Sequence, residues 1–393
     1  MKAKLKNIDY WIFIPFLLLA AIGIVLVYSA SSNAAILQGL KSTTYLKRQL
    51  LFVIIGLLLC GFFYLLKIKY LRSTPFIQIF LISVFMALLW LLLLKHLKPS
   101  TAVNGAAAWI HLGPFNIQPL ELAKLALVLY LAQVYSQRLL RIRQLSFRES
   151  MMEIIMPLFL TSIFVFMTLG QPDLGGAASL AAIMLILAFA SGMDLKYVFG
   201  IVIVLLAIFV SGYFWFKNMS LTGQSSSSYQ MRRLLSFYHP FQLEKAGGSQ
   251  LVNSYYAINN GGLWGRGLGN SIQKLGYLPE PYTDFILAIA CEELGIFGVI
   301  IILGLLFVLI ARIVYLGLQS QSAYLSLLSY GIATILFVQS VFNVGGVLGV
   351  LPITGVTLPF ISYGGSSILV LSACMGIMLN VSINIRLPQK FSH

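Results

Sequence analysis

The chain has 393 residues, 59% hydrophobic and 9% charged, with 26 Lys and Arg against 11 Asp and Glu. Soluble domains carry about 25% charged residues, so this composition excludes a soluble enzyme. A net charge of +15 in so apolar a chain points to anionic lipid head groups or a phosphate-bearing substrate, and no basic soluble domain is present to hold nucleic acid.

Hydropathy predicts an all-α polytopic membrane protein with ten spans, at about 11–30, 50–66, 76–95, 119–136, 152–170, 173–191, 195–214, 283–312, 325–345 and 359–385. The first run, from Trp11 to Ala30, is too long for a signal-peptide core and reads as a retained span. An even number of spans places both termini on one side, and Lys and Arg decide which. One face collects Lys2, Lys4, Lys6, Lys67, Lys69, Arg72, Arg138, Arg141, Arg143, Arg148, Lys196, Arg312, Arg386 and Lys390. The short loops of the other face hold Lys41, Lys47, Arg48, Lys95 and Lys98. Both termini are therefore expected in the cytoplasm. Cys60, Cys291 and Cys374 lie far apart in apolar segments and form neither a disulfide framework nor a metal-ligand spacing. With no internal repeat, residues 1–393 read as one integral-membrane domain.

Between the seventh and eighth spans the chain is expected to leave the membrane on the outer side, over about residues 215–282. This connection opens with the polar tract "LTGQSSSSYQ" and closes with "NNGGLWGRGLGNSIQKLGYLPEPYTDF". Loops of this length are functional or disordered, and the glycines, aromatics and charges of the second half argue for function. The glycines of "GGLWGRGLG" either let backbone approach phosphates or serve tight turns.

Ionisable residues inside spans are costly and mark functional sites by default. The stretch "YLPEPYTDFILAIACEELG" gathers Glu280, Asp284, Glu292 and Glu293, four of the 11 acidic residues. Asp284 stands where the eighth span begins. Glu292 and Glu293 follow about 12 Å deeper, and on a helical wheel Glu292 is about 80° from Asp284 and Glu293 about 180° away. Glu292 is thus expected to share a cavity with Asp284, and Glu293 to face another helix. Glu121 and Lys124 lie three apart at the start of the fourth span, on one helix face, either as a structural pair or as part of a site. Asp173 sits at a Pro-Gly break, where it either caps a helix or joins the site. The long loop adds Arg232, Arg233, Arg266 and Lys274. Carboxylates facing a basic outer loop suit a reaction on a lipid-linked phosphate: cations stabilise the anionic leaving group and a carboxylate accepts a proton from an attacking hydroxyl. In the tenth span, "LPITGVTLPFISYGGSS" reads as a broken start. There Ser362, Ser366 and Ser367 either touch a sugar or satisfy freed backbone groups.

"VNGAAAWIHLGPFNIQPLELAKLALVLYLA", "GQPDLGGA", "INNGGLWGRGLGNSIQKLGYLPEPYTDFI" with "EELG", and "NVGGVLGVLPITGVTLPFISYGGSS" occur in this order. Together they resemble the SEDS family of shape, elongation, division and sporulation proteins, and "GLGNSIQKLGYLPE" is more similar to its division branch than to its elongation branch. The resemblance implies an inverting peptidoglycan glycosyltransferase that polymerises lipid II, the undecaprenyl-pyrophosphate-linked disaccharide-pentapeptide, at the division septum. It implies that Asp284 is the catalytic aspartate and that Lys124 approaches it. Glu121, Asp173, Arg232, Arg233, Lys274, Glu280, Ser366 and Ser367 are expected to contact substrate. The expected partners are a class B penicillin-binding protein and other division proteins. No tightly bound cofactor is expected, with a divalent cation such as Mg²⁺ as a possible aid. The chain departs from the family at Ala108, where members commonly carry a basic residue, and at Tyr282, where they commonly carry histidine. Two other classes of function fit the same spans: a flippase for a lipid-linked precursor, and a division scaffold without chemistry of its own.

Overall fold

In lipid, a chain must close its backbone hydrogen bonds internally, and α-helices do so segment by segment. A computed structural model describes residues 7–97, 108–112, 115–144, 147–217, 229–244 and 247–386. The first half contains α1 (Tyr10–Leu37), α2 (Thr44–Leu65), α3 (Thr74–Leu97), α4 (Pro119–Gln144), α5 (Phe147–Gly170), α6 (Leu174–Ala190) and α7 (Leu195–Lys217). Two shorter helices follow, α8 (Tyr229–Tyr238) and α9 (Ser249–Gly261). The chain ends with α10 (Ile286–Gln319), α11 (Ala323–Val347) and α12 (Gly365–Arg386). The all-α expectation has one exception among the described residues: strands β1 (Ile110–Leu112) and β2 (Phe115–Ile117) form an antiparallel hairpin before α4.

Among the described residues, seven helices are long and apolar enough to cross a membrane: α1, α2, α3, α5, α10, α11 and α12. The other three long helices fall short for visible reasons. Helix α4 carries Glu121, Lys124, Arg138, Arg141 and Arg143. Helix α6 has only 17 residues, and within α7 the described apolar helix covers Lys196–Ala207.

The core lies along α12, 83% of whose apolar window is buried inside the protein. It packs closely on α2, and a Cβ at Gly376 would run into the Cys60 carbonyl, so only a residue without a side chain lets the two helices approach. At the far end of the bundle Asp9 caps α1 by accepting from the Trp11 N–H at 3.2 Å. Asp9 also takes Arg312 and Arg386, each at 2.7 Å, tying the first helix to the ends of α10 and α12. Pro157 inside α5 has no N–H for the Glu153 carbonyl, and Arg138 Nη1 supplies a donor to it at 2.8 Å.

The segment expected to be a loop holds α8, α9 and a 3₁₀ turn at Gln273–Leu275. Its last part docks into a break in α10. Gly295 has φ 71° and ψ −175°, a conformation that strains any residue with a Cβ. The break frees the carbonyls of Glu292 and Glu293, which accept from Arg266 N–H at 2.9 Å and Gly267 N–H at 3.0 Å. In return, the Ile296 and Phe297 N–H groups donate to the carbonyls of Gly262 and Leu263. The connection is thus hydrogen-bonded into the helix it precedes.

Candidate active site

Asp284 lies in the turn that leads into α10 and is partly exposed. Its backbone is held from three directions. The Tyr282 carbonyl accepts from Tyr363 N–H at 2.8 Å, the Thr283 carbonyl from Ser362 Oγ at 2.7 Å, and the Asp284 carbonyl from Asn343 Nδ2 at 2.9 Å. Three consecutive carbonyls are therefore fixed by donors from α11 and from the irregular segment before α12. Such support sets the position of a reacting group more sharply than a free loop can. Glu280 (φ 51°) and Phe360 (φ 64°) take left-handed backbone on either side of this contact, the kind of local strain that gathers at functional sites. Glu280 itself is exposed and accepts from Thr283 Oγ1 at 2.9 Å.

Tyr282, where the family commonly carries histidine, packs tilted against Tyr45 and edge-on to Tyr363, with centroids 4.6 and 5.8 Å apart. Burial pushes its phenol well above the usual range, so it stays protonated and is no base. Burial raises the Tyr363 phenol too, and the exposed Arg48 at the start of α2 lies near enough to favour its ionised form against that burial. Asp284 lines a small cavity with Phe285, Phe342, Asn343, Gly346, Val347 and residues 353–356.

One turn along α11 from Asn343, about 6 Å, Gln339 Nε2 donates to Glu121 Oε2 at 3.3 Å. Glu121 Oε1 holds Lys124 Nζ at 2.7 Å, and both side chains are buried. The pair and the Asp284 backbone therefore meet the same helix at successive turns.

Two expectations are corrected. Lys274, assigned to substrate, is buried, with Nζ 2.6 Å from Glu293 Oε1 and 2.9 Å from Ser29 Oγ. Its charge is already matched within the protein. Glu292 does not line the Asp284 cavity; it accepts from Ser271 Oγ, from Gln273 N–H at 3.1 Å and from Asn260 Nδ2 at 3.2 Å. Glu293 does face another helix, since Ser29 of α1 donates to it at 2.7 Å. Both corrections lie where the connection docks alongside α10 at the Gly295 break, which gives both glutamates partners from it.

The remaining expected residues are placed as follows. Asp173 caps α6, accepting from Gly176 N–H at 2.7 Å. Ser366 Oγ donates to the Asn116 carbonyl at 2.8 Å and accepts from Gln118 N–H at 3.0 Å, so it fastens the hairpin to α12. Ser367 accepts from Thr357 Oγ1 at 3.3 Å. Arg232 and Arg233 fall on α8, and their side chains lie outside the described residues. Sequence reasoning missed Gln339 and Asn343, although "ILFVQSVFNVGG" carries a signal: two amides four residues apart in an apolar helix, hence on one face. Among the described residues no three His, Cys, Asp or Glu side chains converge as metal ligands.

The family model described as "Cell cycle protein", covering FtsW, RodA and SpoVE, matches residues 9–387. A Lactococcus lactis protein named "Probable peptidoglycan glycosyltransferase FtsW" is 39% identical, over 96% of this chain and 93% of its own. Stage V sporulation protein E of Bacillus subtilis is 35% identical over 97% of this chain and 99% of its own. Among solved structures, a chain from "Structural coordination of polymerization and crosslinking by a peptidoglycan synthase complex" superposes with a TM-score of 0.73 at 28% identity, covering 96% of this chain and 98% of that one. RodA of Thermus thermophilus superposes with a TM-score of 0.65 at 27% identity, covering 97% and 98%. With one family model running through nearly every residue and these relatives aligned end to end, the chain belongs to the FtsW, RodA and SpoVE family of cell cycle proteins.

Proposed function

We propose that this chain is a peptidoglycan glycosyltransferase of the division septum that polymerises lipid II, with Asp284 as general base. The observation that carries this reading is the fixed backbone of residues 282–284, which presents Asp284 at a cavity between α10 and α11. The names of the relatives support the activity. All ten long helices cross the membrane in this reading, including α4, α6 and α7, with both termini in the cytoplasm and the α7–α10 connection outside. Glu121 and Lys124 of α4 pair with one another inside the bundle, which is how polar residues persist there.

The Asp284 carboxylate takes the proton of the acceptor's 4-hydroxyl as that oxygen bonds to the donor's anomeric carbon. The bond from that carbon to the diphosphate oxygen breaks, and undecaprenyl diphosphate leaves with the electron pair, inverting the centre. An aspartate ionises near pH ~3.9 in water and is a weak base for a sugar hydroxyl. Most of the acceleration is therefore assigned to positioning and to stabilising the departing diphosphate. Lys274 is committed to Glu293, so Arg232 and Arg233 of α8, with Arg48 beside Tyr363, are the cations for that task. A divalent cation such as Mg²⁺ would ride on the diphosphate itself.

The partner is a class B penicillin-binding protein, in keeping with a structural relative drawn from a synthase complex. The experiment is reconstitution of the purified protein and this partner in vesicles with labelled lipid II. Polymer supports the reading; movement of lipid II between leaflets without polymer replaces it with a transporter.

A further inference from the structure

Buried polar groups almost always find a hydrogen-bond partner, and two that do not lie in the Asp284 cavity. Asn343 spends its side-chain N–H groups on the carbonyls of Asp284 and Val356, both at 2.9 Å. That commitment fixes which way the amide points and leaves Oδ1 buried with no partner, in a residue only 4% exposed. Thr354 Oγ1 is likewise buried and unpartnered. Both residues line the cavity together with Asp284.

The chemistry of this set selects the ligand. An amide carbonyl and a carboxylate only accept hydrogen bonds, and a threonine hydroxyl both donates and accepts. A phosphate brings no hydrogen for the two acceptors and would be repelled by the carboxylate. A sugar hydroxyl brings one hydrogen and two lone pairs, and the apolar neighbours Phe285, Phe342 and Ile353 suit the C–H face of a ring. The cavity holds about 10 Å³ of free space, roughly room for one water-sized group. It therefore admits one hydroxyl at the edge of a saccharide.

We propose that this cavity is the acceptor subsite: it seats the attacking hydroxyl between Asp284, Asn343 Oδ1 and Thr354 Oγ1, and excludes the diphosphate. The inference rests on Asp284 as base and assigns the residues that receive its substrate.

Gly346 supplies a clean test. It lines the same cavity within α11, and a Cβ there would meet nothing nearer than Ile353 Cα at 3.8 Å. Gly346→Ala therefore adds a methyl to the space without a clash, and alanine favours the helix. Lipid II polymerisation by the complex with its partner is measured alongside the melting temperature. Gly346→Ala is expected to melt at or above the wild-type temperature with kcat/KM lowered about tenfold or more, because the acceptor is displaced from its line of attack. Thr354→Val keeps the side-chain shape and removes one hydrogen bond, and a roughly three- to tenfold loss in kcat/KM is expected. Should Gly346→Ala disturb folding, Thr354→Val carries the test alone. If both variants fold and polymerise within twofold of wild type while Asp284→Ala is inactive, the subsite is wrong and the base assignment stands. Full activity in Asp284→Ala overturns the base assignment itself, and the subsite with it.

Discussion

The pairing of Lys274 with Glu293 separates a structural cation from one that serves the substrate. Glu293 is 1% exposed and Lys274 5% exposed, and Ser29 completes their contacts. Lys274→Met leaves a buried carboxylate whose remaining partner in this cluster is a hydroxyl. Breaking a buried pair from one side costs about 3–5 kcal/mol, whereas replacing both members with apolar residues of similar volume is close to neutral. At about 2–4 °C per kcal/mol, the single variant should melt roughly 6–20 °C below wild type. The double variant Lys274→Met with Glu293→Leu should recover most of that loss, as contacting residues in one network are not additive. Melting in detergent and lipid II polymerisation are read on wild type, the single variant, the double variant and Asp284→Ala. The double variant is expected to polymerise within about threefold of wild type, since the pair acts through packing. A double variant as stable as wild type yet as inactive as Asp284→Ala would refute this reasoning and return Lys274 to the diphosphate.

Two further outcomes follow from the site's supports. Gly295→Ala places a Cβ against the Leu263 carbonyl at positive φ; it should cost more than ~2 kcal/mol and raise hydrogen exchange at Arg266 and Gly267, whose N–H groups reach the broken turn. Glu121→Gln strands the buried Lys124 ammonium and should lower stability by about 3–5 kcal/mol. Adding Lys124→Met should restore the melting temperature but leave the polymerisation rate about tenfold or more below wild type, because the charge pair one turn along α11 from the Asp284 support is gone.

Much of this architecture was legible from hydropathy alone, because a membrane segment must be both apolar and helical and few sequences satisfy that by chance. Asp284 stands out in the sequence as a charge at the head of an apolar run, and the structure places it at the mouth of a cavity. The failures lie where the chain departs from simple helix and loop. Glu292 meets the connection, which docks at the break in α10. Helical-wheel reasoning assumes a helix running from Asp284, but Asp284 lies in the turn before α10 begins at Ile286, so the wheel turned Glu292 toward it. Lys274 was assigned to phosphate because its loop was expected to stand clear of the bundle, and the docking of that loop buries it. Asn343 and Gln339 went unremarked because they carry no charge, although an unpaired amide inside a membrane bundle is nearly as informative. Ser362 and Ser366 resolve toward backbone support: they hold the Thr283 and Asn116 carbonyls.

The most direct test follows strand growth from labelled lipid II by the purified protein with its transpeptidase partner, comparing wild type with Asp284→Asn. The substitution keeps the shape of the side chain and leaves the backbone contacts to Ser362 and Asn343 in place. Unchanged melting with no glycan strands is the expected result. Strands growing at the wild-type rate would contradict the assignment of proton transfer to Asp284.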